Sequence, residues 1–324
     1  MSLTRLVSIF LCLAAVCGYI LWQFSDIQLI EGHIFGTYYK VKVRTTDDLS
    51  VLKKQITTRL QEIDREMSIF REDSEISAIN RAPAGKEITL SPDMQAVMQT
   101  AYEVYRQSEG AFDPALGRLI DLWGFGASNN RSPSDLEITK AMSSSGLDKL
   151  RFADDFSALT KTNAQTYINL SAIAKGYAVD AVAEILDKTG CTDYIVEIGG
   201  ELKAKGLRDD STPWNIGITS PRADVSDNVM IVSLSNMAVA TSGNYRNFYK
   251  QDGQILGHTI SSHTGRPVKT DVASASVFAN SCMLADAYAT AIVALGIEAG
   301  LQFADRYELK VIIFDHNLQP HFSK

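Results

Sequence analysis

Residues 280–296, NSCMLADAYATAIVALG, hold a single charge, Asp286, in a run of small and apolar side chains. The run predicts a helix ending at Gly296. A helix apolar on nearly every side has to be buried, so the chain must build a core around it. That core must then compensate a carboxylate stripped of its water. Thr290 stands one turn beyond Asp286, and residues four apart share a helix face. Carboxylate, hydroxyl and backbone carbonyl oxygens suit a hard cation, Mg²⁺ above all. The same spacing also describes a surface aspartate beside a threonine bonded to its own backbone.

The 324 residues are 45% hydrophobic, enough for a sizeable core, and the net charge of −7 gives no basic field for nucleic acid. Residues 6–24, LVSIFLCLAAVCGYILWQF, carry no charge and are 19 long, just enough for a membrane-crossing helix. Arg5 precedes them, and Asp26 and Glu31 follow. This predicts an anchor with its N-terminus in the cytoplasm and the remainder across a bacterial inner membrane, in the periplasm. A cleaved signal peptide, or a lipid on Cys17, is the alternative. The division expected is 1–32 for the anchor or signal segment and 33–324 for one continuous catalytic domain. Cys191 and Cys282 can pair only if the fold brings them close. No CxxC motif supports a zinc or thiol–redox site.

GTYYKVKVRT, from Gly36, alternates as a strand. Asp47 or Asp48 then caps a helix carrying Leu49, Leu52, Ile56, Leu60, Ile63 and Met67 at steps of three and four. REDSEISAIN reads as turn-rich. Ser91-Pro92 opens a second helix, closed by Gly110. GAFDPALGRLIDLWGFG reads as a loop with a short helical piece. INLSAIAKGYAVDAVAEILDKTG passes from a strand end into a helix that stops at Gly190. DYIVEIGGELKAKG turns back on itself at Gly199-Gly200, and WNIGI, MIVSL, MAVATSG and KVIIF read as further strands. Strands in runs, as well as alternating with helices, predict an α+β fold.

Three further segments carry candidate chemistry. Lys175, in AIAKG, falls in the first turn of its helix, where backbone N–H groups and the dipole favour an anion. Gly176 beside it lets a ligand approach the backbone. An exposed lysine without a role fits the pattern equally. His258 and His263 lie in GHTISSHTGRPV, and either can serve as a general base or simply occupy a loop. The Thr-Gly-Arg-Pro turn would set this segment at the rim of a cleft. Phe35, Phe70, Phe112 and Trp123 flank glycine-rich or polar turns and can sandwich a flat ring, although core packing is the commoner fate, for Phe70 and Trp123 in particular. No GxSxG elbow or P-loop is present.

In their order along the chain, FGTYYKV, EIDREMSIFREDSEISAIN, GAFDPALGRLIDLWGFG, INLSAIAKGYAVD, VEIGGELKAKG, VATSGNYRNFY, GHTISSHTGRP and ANSCMLADAYATA resemble the FAD:protein FMN transferases of the ApbE family. They span nearly everything from Phe35 to Leu295. The resemblance implies an α+β, T-fold-related domain of mixed, largely antiparallel sheets with packed helices and a cleft for FAD. It implies that FAD binds with Mg²⁺, that its FMN half moves to a threonine or serine hydroxyl of an acceptor protein, and that AMP leaves. Subunits of Na⁺-pumping NADH:quinone reductases and their Rnf relatives are the acceptors it suggests. It further implies metal ligation by Asp286, Thr290 and the Ala172 carbonyl, and Lys175 near the FAD phosphates. Ala111, Phe112, Asp113, Phe70 and Ile260 become FAD contacts, and His258 becomes the base. Three positions depart from the family pattern. Phe35 replaces a methionine, Asn169 replaces an acidic residue that holds FAD, and Ser262 stands at the acidic position of an HIIDP-like stretch. The same residues would also serve FAD hydrolysis to FMN and AMP, or FAD carriage without turnover.

Overall fold

An eight-stranded sheet runs in the spatial order β1 (Ile27–Ile34), β2 (Thr37–Arg44), β6 (Tyr194–Ile198), β7 (Glu201–Lys205), β10 (Met237–Gly243), β13 (Val272–Ala279), β14 (Lys310–Asp315) and β15 (Pro320–Phe322). Every neighbouring pair in it is antiparallel. The structure is a computed structural model and describes residues 27–126, 132–209, 212–221, 227–243, 248–251 and 254–324. The apolar segment 6–24 and Cys17 lie outside the described residues. Among those described, no helix is long and apolar enough to cross a membrane. β1 crosses the boundary placed at residue 33 and pairs along its whole length with β2.

Helices cover one face of this sheet. α1 (Leu49–Met67) starts at Asp48, whose carboxylate accepts from the Ser50 N–H, and buries Leu52, Ile56, Leu60, Ile63 and Met67. α2 (Glu75–Arg81) occupies the stretch expected to be turns. Ser74 caps it, its Oγ accepting from the Ser77 N–H, and Ile76 and Ile79, three apart, are buried. One short amphipathic turn among many polar residues is too brief a period to stand out in sequence. α3 (Pro92–Gln107) follows its Ser91 cap as expected. α4 (Gly117–Leu122) and α5 (Asp135–Met142) form a satellite cluster with Trp123 and Ile260. α6 (Ala174–Lys188), α7 (Cys282–Leu295) and α8 (Ile297–Arg306) complete the layer, with α6 and α7 packed on each other and on the sheet.

The other face is covered by a hairpin of β8 (Trp214–Thr219) and β9 (Asn228–Leu234). Period-two alternation divides the strands between the two layers. In β7, Leu202 and Ala204 face the hairpin cluster with Trp214, Val239 and Phe314, while Glu201 and Lys203 face the helices. Small sheets of β3 (Glu87–Thr89), β5 (Ala158–Lys161) and β4 (Leu150–Phe152), and of β11 (Phe248–Gln251) and β12 (Gln254–Gly257), lie outside the main sheet. The fold is therefore α+β with antiparallel sheets and packed helices, as expected. Cys191 and Cys282 are both buried and unpaired.

Candidate active site

A cleft of about 370 Å³ opens where α6 and α7 meet the ends of β7 and β10. That volume lies in the range of small-molecule sites, roughly 300–1,000 Å³. Eleven of the twelve positions singled out in sequence as base, FAD contacts or metal ligands line it: Phe70, Ala111, Phe112, Asp113, Asn169, Ala172, Lys175, His258, Ile260, Asp286 and Thr290. Phe35 does not line it. Phe35 sits in the β1–β2 turn, packed against the main core, with a left-handed φ of 52°.

One wall is charged and buried. Asp286 is 2% exposed, which excludes the surface reading. Its Oδ2 accepts the Gly176 N–H at 3.0 Å and stands 3.9 Å from the Lys175 ammonium. No side chain caps the start of α6, so the carboxylate answers a backbone donor that the helix itself cannot satisfy. Gly176 is required here, since a Cβ would collide with the Cys282 carbonyl oxygen and the Asp286 Cβ. Lys175 Nζ also donates to Glu201 Oε1 at 3.0 Å, and 29% of the lysine side chain remains exposed to the cleft. Thr290 Oγ1 lies 3.0 Å from Ser242 Oγ on β10, so its hydroxyl is turned to the sheet and cleft instead of its own backbone.

The charges do not balance. Two buried carboxylates face one ammonium, and Glu201 Oε2 is buried with no hydrogen-bond partner among the described residues. Burial pushes the Glu201 carboxyl up to about 7 against the opposing pull of Lys175. Burial also raises Asp286, again against Lys175 and the Gly176 N–H. Burial alone would lower Lys175, yet Asp286 and Glu201 outweigh it and hold the ammonium firmly charged. A bound cation would supply the missing positive charge. Among the described residues no three His, Cys, Asp or Glu cluster as a metal cage. One carboxylate with a hydroxyl and a carbonyl fits a Mg²⁺ that takes its other ligands from water and phosphate.

The opposite wall is aromatic and looped. Phe70 is 75% exposed, so it is not core; its ring projects at the rim. Phe112 is 1% exposed and Trp123 is buried, its indole N–H donating to the Gly265 carbonyl at 2.7 Å. Of the four aromatics proposed to sandwich a flat ring, only Phe70 therefore offers a face. Phe125, not singled out in sequence, lines the cleft with its ring 6.4 Å from that of His258. The His258 segment turns back at Ser261–Gly265, where the Ser261 carbonyl accepts from Gly265 N–H at 2.8 Å. Ser262 Oγ donates to the Gly110 carbonyl at 2.7 Å, tying this hairpin to the Ala111–Asp113 turn. A serine at that position thus has a structural partner. His263 does not line this cleft; it lines a neighbouring pocket that also takes in Tyr105 and Asp148.

Asp113 accepts from the N–H groups of Ala115 and Leu147 at 2.8 and 3.2 Å, and burial pushes its carboxyl up to about 7. Asn169 uses its Oδ1 to accept the Ser171 N–H at 2.9 Å, which shapes the turn presenting Ala172. Glu201, Thr241 and Ser242 also line the cleft and were not singled out. The turn signal at Gly199-Gly200, which aims Glu201 inward, and the polar end of VATSG were their only traces in sequence.

Residues 35–313 match the ApbE family. A protein of Vibrio cholerae named FAD:protein FMN transferase is 36% identical over 289 residues, covering 88% of this chain and 86% of its own. The solved flavin transferase ApbE of Vibrio cholerae superposes with a TM-score of 0.85 at 34% identity, covering 92% of this chain and 97% of that one. The apo flavinyl transferase ApbE of Pseudomonas stutzeri gives a TM-score of 0.85 at 32% identity, over 92% and 95% of the two chains.

Proposed function

This chain belongs to the ApbE family, and from that membership we propose that it moves the FMN half of FAD onto a threonine or serine hydroxyl of an acceptor protein, with Mg²⁺ bound and AMP released. The observation that carries the Mg²⁺ part is the uncompensated negative charge at Asp286 and Glu201 around Lys175. Asp286, Thr290 and the Ala172 carbonyl would hold the ion. Bound there, Mg²⁺ would draw charge from the diphosphate and stabilise the departing AMP phosphate.

The chain's own residues do the rest. Lys175 holds a fixed positive charge beside the diphosphate, pre-oriented by Glu201, so no reorganisation is needed as charge develops. The exposed Phe70 ring stacks on the isoalloxazine at the rim. His258 accepts the acceptor's hydroxyl proton as the new O–P bond forms and the P–O bond to AMP breaks. General-base help of this kind contributes roughly 10²–10⁴-fold.

The uncharged segment 6–24 supports anchoring in the inner membrane with the domain in the periplasm, by the span itself or a lipid on Cys17. Membrane-facing acceptors, such as NADH:quinone reductase or Rnf-type subunits, suit that placement. Intact-mass spectrometry of a candidate acceptor, incubated with the chain, FAD and Mg²⁺, tests the reaction. A gain of one FMN is expected, and free FMN beside an unmodified acceptor would mean hydrolysis instead.

A further inference from the structure

The three elements carrying the charged wall are tied together at one point behind it. Asp180 lies one turn after Gly176 on α6. Its Oδ2 accepts the Ser281 hydroxyl at 2.8 Å and the Met283 N–H at 3.0 Å, both at the start of α7. Its Oδ1 accepts from Lys203 Nζ at 2.7 Å, on β7. Lys203 stands two residues after Glu201 and so shares its face of the strand. One carboxylate thus joins the helix of Lys175, the helix of Asp286 and Thr290, and the strand of Glu201.

We propose that Asp180 is a positioning residue for the cation site, setting the spacing of Asp286 and Thr290 against Lys175 and Glu201 without touching substrate. Besides their apolar packing, two close contacts hold α7 on α6. At Gly176 the helices touch directly, because no side chain intervenes. At Asp180 the N-terminus of α7 is hydrogen-bonded in place. Lose the second and α7 keeps its apolar packing but can slide or rotate about the first. Asp286 sits only one turn into α7, so such a shift moves its carboxylate relative to Lys175 and to the Ala172 carbonyl. Outer partners of this kind typically change metal affinity by roughly 10–100-fold when removed.

This inference rests on the cation reading of the cleft, so the test includes a control for that reading. Wild type, Asp180→Asn, Lys203→Met and Asp286→Ala are compared in full-length protein. One readout is the Mg²⁺ concentration giving half-maximal flavin transfer at 25 °C. The other is the rise in Tm that Mg²⁺ produces with FAD present. Asp180→Asn should raise the half-saturating Mg²⁺ by roughly 10-fold and shrink the Mg²⁺-induced rise in Tm. Lys203→Met, which keeps both hydrogen bonds to α7, should shift both in the same direction by less, and it carries the test if Asp180→Asn does not fold. A purely structural role would lower the ligand-free Tm and leave the half-saturating Mg²⁺ at the wild-type value; that result, with Asp286→Ala unresponsive to Mg²⁺, overturns the role of Asp180 alone. Wild-type Mg²⁺ dependence in Asp286→Ala would overturn the cation reading itself.

Discussion

The ammonium of Lys175 stands 3.9 Å from Oδ2 of Asp286, although the two lie on different helices and 111 positions apart in sequence. The pair explains why a nearly all-apolar helix tolerates a buried carboxylate. Lys175 and the Gly176 N–H answer part of its charge, and the proposed cation would answer the remainder.

Replacing Lys175 by methionine leaves Glu201 and Asp286 buried without their cation. Breaking a buried pair on one side costs about 3–5 kcal/mol, and the lower end applies to a lysine partly open to the cleft. Urea denaturation should show that loss. Flavin transfer should fall by roughly 10²-fold or more, as for removal of one fixed donor to a developing negative charge. A stable variant with wild-type turnover would contradict this placement of the lysine.

His258→Ala should bind FAD as tightly as wild type, by flavin fluorescence, and transfer it roughly 10²–10⁴-fold more slowly. Weakened FAD binding at an unchanged transfer rate would assign the residue to substrate binding instead.

Phe70 is exposed before substrate arrives, so Phe70→Ala should leave Tm within about 1 °C of wild type, since surface substitutions mostly stay within ±0.5 kcal/mol. Losing a stacked ring should weaken FAD binding by up to roughly 10-fold, the equivalent of about 0.5–1.5 kcal/mol. Phe70→Tyr should restore it. A large fall in Tm with unaltered FAD affinity would mean that the ring packs within the protein.

Asp113 makes stability depend on pH. Burial holds its carboxyl at about 7 in the folded chain, whereas an unfolded aspartate titrates near 3.9. Between those values the folded state keeps a proton that the unfolded state releases. The group's contribution is therefore full below about pH 4 and is lost as pH rises through 7. Asp113→Asn cannot ionise, so between pH 5 and pH 8 its stability relative to wild type should improve by about 3 kcal/mol. Equal differences at both pH values in urea titrations would show that Asp113 is ionised throughout.

What could be read in advance follows from the range of the interactions. α7 and the Lys175 turn were legible because each is a local pattern: one carboxylate in an apolar helix, one glycine after a lysine at a helix start. Glu201 and Ser242 were not, because they meet only through the pairing of β7 with β10, which no local period encodes. β13 went unread for a related reason. It lies between β10 and β14 with α7 packed on it, so its positions are small and serines interrupt the alternation. For Phe70 the local pattern favoured core over the ring-facing position that the family resemblance implied. An aromatic next to Ile69 is usually core, and only the tertiary fold shows this one at the lip of a cleft.

The measurement that bears most directly on the buried carboxylate is the flavin-transfer rate of wild type and Asp286→Ala across a Mg²⁺ titration that begins in EDTA. Wild type should be silent in EDTA and rise to saturation with Mg²⁺, while Asp286→Ala stays near background throughout. An Asp286→Ala protein that flavinylates its acceptor at the wild-type rate, or a wild type indifferent to EDTA, would contradict a cation held at that helix.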